Sequence, residues 1–119
     1  MPTPTPPWSI RYDDGAANAY SIDSDGDGAM LVYRPVRPEE SSTGTYSGGT
    51  PRSGRLDAAT VADLWKRVDA LAANTAIHQA DRNKGTGMFA LKGGTGARSF
   101  IVEMGADIRA FDEFLRTLC

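Results

Sequence analysis

The chain has 119 residues, a formal net charge of −2, and 40% apolar against 24% charged residues. That is enough for one domain with its own core, and the acidic balance gives no general electrostatic case for nucleic-acid binding. No apolar run has the length of a membrane span, and the single Cys119 cannot form an internal disulfide, so the expected fold needs no oxidising compartment.

Residues 1–7, Met-Pro-Thr-Pro-Thr-Pro-Pro, favour extended backbone and are expected to be a disordered tail. They lack the basic and apolar regions of a signal peptide. A cytoplasmic protein is expected. If the chain is instead a trimmed exported or lipid-anchored protein, this tract would be its tether. The ordered domain is expected over residues 8–119, and Cys119 is expected to be an inert end residue.

Trp8, Ile10 and Tyr12 alternate with Ser9, Arg11 and Asp13, which predicts a strand with one buried face. Asp14-Gly15 is a turn signal. Residues 18–22 and 29–33 predict two further strands, giving an antiparallel meander that ends before Pro35.

Between the second and third strands lies Asp23-Ser24-Asp25-Gly26-Asp27-Gly28. An EF-hand loop takes oxygen ligands at its first, third and fifth positions, Gly at the sixth and a bidentate Glu at the twelfth. Asp23, Asp25, Asp27 and Gly28 fit the first half, but the twelfth position is Arg34 and the flanks read as strands. The run therefore predicts a polar hairpin turn, with a weak calcium site on the three aspartates as the alternative.

Residues 34–55 read as a long irregular stretch rich in Ser, Gly and Thr. Thr45, Tyr46, Ser47 and Arg52 are its candidate partner-binding residues, since an accessible Tyr among small residues suits an adaptable contact surface. Gly48-Gly49 and Ser53-Gly54 lack the Lys-Ser/Thr pair of a phosphate loop. The local basic clusters near Arg34, Arg52 and Arg82 have no interleaved aromatics and read as solvated loop charges.

Asp57 is a candidate N-cap, with Leu56 positioned to staple onto Val61. Val61, Leu64, Trp65, Val68, Leu71 and Ala72 form the apolar stripe of a helix running to about Ala73, and Asp63 and Arg67 can pair across one turn. Residues 74–87 read as a loop. It contains His78, for which no serine or cysteine is singled out as a nucleophile, so a structural role is expected. Residues 88–92 and 98–104 flank Gly93-Gly94-Thr95-Gly96 as a hairpin, with Phe100, Val102 and Met104 on one face. Residues 106–118 predict a second amphipathic helix with stripe Ile108, Phe111, Phe114, Leu115 and Leu118.

The order β-β-β-loop-α-β-β-α predicts an α+β fold: an antiparallel sheet of about five strands with both helices on one face. The functional expectation is a small non-catalytic module that binds another protein, as an inhibitor, immunity-type or assembly subunit. It has no predicted catalytic or cofactor-binding residues, no nucleic-acid partner and no membrane span. A calcium-binding domain centred on Asp23, Asp25 and Asp27 is the alternative. A small hydrolase ranks behind both, because no positioned general base is visible.

Overall fold

The computed structural model of the protein describes residues 6–15, 18–35, 49–81, 86–93 and 96–118. The alternation at the start of the chain becomes β1 (Ser9–Asp13), β2 (Ala19–Asp25) and β3 (Gly28–Arg34). A fourth strand, β4 (Arg52–Leu56), follows, then α1 (Ala58–Ala73), a short 3₁₀ turn (Thr75–Ile77) and the two-residue β5 (His78–Gln79). The hairpin β6 (Gly87–Gly93) and β7 (Gly96–Val102) leads into α2 (Ala106–Arg116). The strands form one antiparallel sheet of seven in the order β4-β3-β2-β1-β6-β7-β5. The C-terminal hairpin adds to the free side of β1, which makes the first strand the middle of the sheet.

The α+β class holds, but the sheet has seven strands where about five were expected. Both extra strands fell in stretches read as loop. Strand β4 has the sequence Arg-Ser-Gly-Arg-Leu, whose one fully buried side chain is Leu56. Strand β5 is held by its register against Val102 and Ile101, helped by the Glu103 amide donating to the Ile77 carbonyl (2.8 Å).

Inward-facing residues of neighbouring strands line up in rows. One row is Leu31, Ile22, Ile10 and Leu91; the next is Tyr33, Tyr20, Tyr12, Phe89 and Phe100. All but the half-buried Phe100 are buried. Helix α2 lays Phe111 edge-on over Tyr12 (5.2 Å) and tilted against Phe89 (5.3 Å). Helix α1 brings Trp65 edge-on to Trp8 (5.3 Å). Both helices therefore pack on the same face, where offset and edge-to-face rings add to the burial of large apolar area. Gly87 is required by this packing: a Cβ there would lie 2.7 Å from Ile108 Cδ1 and 2.8 Å from Tyr12 Cε1.

Helix α1 starts as expected. The Asp57 side chain accepts from the Thr60 amide (2.8 Å), Leu56 and Val61 are both buried, and Arg67 pairs with Asp63 at 3.3 Å. Asp57 is held below the ordinary carboxylate range by hydrogen bonding to the Thr60 side chain and then to its amide. Met104 departs from expectation. It lies beyond the end of β7 and is 69% exposed rather than facing the core.

The outer strand β4 and the part of β7 that β5 leaves unpaired each carry an arginine on the helix-covered face. Arg52 of β4 lies over the Tyr33 ring (5.0 Å), and Arg98 of β7 reaches Asp69 of α1 (3.2 Å). Inward-pointing charges on outer strands discourage sheets from adding to one another edge to edge.

Candidate functional site

Two regions bring chemically active side chains together. The first lies under α2, where the register aligns Tyr12, Tyr20 and Tyr33 on three adjacent strands. Their rings stand 6.0 Å and 4.7 Å apart in sequence across the sheet. The Tyr12 hydroxyl donates to Asp112 Oδ1 of α2 at 2.5 Å. Asp14, at the β1–β2 turn, accepts from the Asn18 amide (2.9 Å) and from Asn18 Nδ2 (3.1 Å). Asn18 is one of the few buried polar residues.

Burial and the Asp112 hydrogen bond push the Tyr12 hydroxyl far above its ordinary range. Tyr20 is pushed up to about 12, mainly by burial and then by Tyr33. Asp112 is also raised, by burial first; Asp14 adds to this, while the Tyr12 hydrogen bond and Arg116 oppose it. Tyr12 and Tyr20 thus stay protonated donors at any working pH. They are suited to holding a hydrogen bond, not to acting as a phenolate base or nucleophile. The cluster clamps α2 to the central strand.

The second region is the other face of the sheet. Its middle row is Ser53, Val32, Ser21, Arg11, Ala90 and Ser99. On one side run Arg55, Met30, Asp23, Ser9, Lys92 and Ala97; on the other run Arg34, Ala19, Asp13, Met88, Ile101 and Gln79. Among the described residues, both helices lie on the opposite side. Met30 and Met88 are 39% and 36% exposed. Met30 stands directly between Asp23 and Arg55, and Met88 beside Asp13, with small side chains filling much of the middle row.

The acidic hairpin lies at one end of this face. Its strands close through Gly26 and Asp27, and Gly26 adopts φ +63°, the left-handed conformation glycine tolerates. The three aspartates do not converge on one point. Asp23 pairs with Arg11 (3.1 Å), and Asp25 is ion-paired with Arg55, which also approaches Asp27 at 3.9 Å. Two arginines supply the positive charge there. Among the described residues, no group of three His, Cys, Asp or Glu is placed to hold a metal ion.

Of the candidate partner-binding residues, Thr45, Tyr46 and Ser47 lie outside the described residues, as does Cys119. Arg52 is described and is engaged with Tyr33. His78 is half-buried, stacked on Phe100 (4.9 Å) with Nε2 2.9 Å from the Leu71 carbonyl oxygen. No helix among the described residues is long and apolar enough to cross a membrane. Sequence reasoning read the three tyrosines as ordinary strand residues. The available signal was that each of three successive strands carries Tyr, not an aliphatic residue, at an inward position. Comparison with known protein families, curated proteins and solved structures finds no match to this chain.

Proposed function

We propose that this protein is a small non-catalytic interaction module that docks another protein on the open face of its sheet. The observation that carries the reading is the one-sided layering: two helices cover one face of a seven-stranded sheet, and the other exposes Met30 and Met88 among small side chains and arginines. Methionine and arginine are enriched at protein interfaces, and flexible methionines adapt to the surface they meet. Cations and carboxylates interleave on this face, with Arg11 and Arg55 already engaged by Asp23 and Asp25. Such mixed charge suits a protein partner better than a phosphate backbone, which selects for a one-sign basic stripe. The tyrosines under α2, held protonated, support a structural role for the buried cluster and make it a poor catalytic centre.

The test is site-specific photo-crosslinking in cells of the source organism. A crosslinker at Ser21, mid-face, is expected to trap a partner that one at Ala62, on the exposed side of α1, does not. Met30→Glu with Met88→Glu should abolish that crosslink while the domain stays folded. Equal trapping from both positions would refute the assignment to this face.

A further inference from the structure

Methionine is among the residue types most often buried in cores. Here the distribution is inverted. The described methionines are Met30, Met88 and Met104, and these three are also the exposed large hydrophobic residues among the described positions. The buried core, built from Trp, Tyr, Phe, Ile, Leu, Val and Ala, contains none. The described thioethers thus lie outside the packing and on the surface, two of them on the face opposite the helices.

We propose that Met30 and Met88 are an oxidation site that controls the polarity of the open face without unfolding the domain. In the reaction a thioether sulfur attacks a hydroperoxide. The O–O bond breaks, one oxygen is transferred to sulfur as the sulfoxide, and the peroxide is reduced to water or an alcohol. Sulfur loses two electrons and no outside reductant is needed. Methionine sulfoxide reductases reverse the change. In a core this conversion would disrupt packing; on this surface it replaces two adaptable apolar contacts with polar ones.

The two positions differ in their neighbours. Met30 lies between Asp23 and Arg55 across the strands. A sulfoxide oxygen there can accept from the Arg55 guanidinium and compete with Asp25 for it. Met88 lies between Asp13 and Ile101, with no cation directly opposite. The effect on binding rests on the open face being the docking surface; the oxidation itself does not.

The test treats the folded full chain with hydrogen peroxide and maps the products by mass spectrometry. Met30, Met88 and Met104 should each gain one oxygen, at rates within about tenfold of free N-acetylmethionine amide, since susceptibility follows exposure. The melting temperature should move by less than about 4 °C, as for a surface change. Added reductase should remove the oxygen. Met30 and Met88 remaining unmodified after Met104 has fully reacted would overturn the proposal, as would cooperative unfolding on oxidation. With the crosslinker at Ser21, oxidation should lower partner trapping by about tenfold, and Met30→Leu with Met88→Leu should abolish that sensitivity. Trapping that is indifferent to oxidation would overturn the control role. If no partner is trapped in either state, the docking reading fails, and mass mapping with melting alone decides whether the site exists.

Discussion

The two ends of this sheet both gather carboxylates, and they treat them in opposite ways. At the β2–β3 turn, Asp23, Asp25 and Asp27 stand in solvent beside Arg11 and Arg55. At the other end, Asp112 and Asp14 lie near the hydroxyl of the buried Tyr12, and Asp112 is raised by desolvation. The first cluster is conspicuous in sequence, yet its pairs are exposed and screened, so each contributes little. The second is scattered over residues 12–112, and its one short hydrogen bond ties α2 to the middle strand. Energetic weight follows burial and partner geometry, not local density of charge.

The largest way to break the buried end is to remove its lid. Phe111→Ala takes away the ring that packs on Tyr12 and Phe89 and should cost about 3–5 kcal/mol in urea unfolding. A cost below about 1 kcal/mol would mean that α2 does not depend on this contact.

Next is the hydrogen bond itself. Tyr12→Phe leaves Asp112 half-buried without its donor and should cost about 1–3 kcal/mol. Asp112→Asn keeps an acceptor for Tyr12 and should be milder. A double-mutant cycle over the two positions should give non-additive losses; strict additivity would show that the pair is not coupled.

The pH dependence sharpens the contrast. The folded protein holds the Asp112 proton more tightly than the unfolded chain, whose value is near 3.8. Its contribution is therefore fully present below that value and is lost as pH rises through the raised folded value. Wild-type minus Asp112→Asn stability should fall as pH rises from the unfolded value near 3.8 through the raised folded value, and then level off. Tyr12→Phe should carry the decline further upward, because the Tyr12 hydrogen bond lowers the Asp112 value. Asp57 has the opposite sign: its contribution is lost as pH falls through its depressed folded value. A flat difference curve for Asp112→Asn would place that carboxylate in a solvent-like setting.

The smallest effect belongs to the exposed end. Arg55→Ala should cost under about 1 kcal/mol and less at high salt. Millimolar calcium should leave the melting temperature unchanged, since ligand binding to the native state would otherwise raise it by mass action. A calcium-dependent rise that Asp25→Asn removes would instead restore the cation-site reading of Asp23, Asp25 and Asp27.

Much of the fold was legible because its signals are local. Period-two alternation marked β1, β2, β3 and β6; a three-to-four spacing marked both helices; Asp57 marked the start of α1. Strands β4 and β5 carry no such pattern. An outer strand with one fully buried residue and a two-residue strand are created by their partners' unpaired backbone, which only the assembled sheet supplies. The same holds for the sites. Sequence alone put Tyr12 and Tyr20 on alternating strand positions and Met30 and Val32 on a third strand; the structure buries Ala29, Leu31 and Tyr33 of that strand and turns Met30 to the other face. Only the tertiary structure decided that the three tyrosines share one row, that Asp112 meets the first of them from 100 positions away, and that Met30 and Met88 share the face opposite the helices. The physical reason is that alternation assigns a residue to a side of its own strand, whereas register and helix docking assign that side a neighbour.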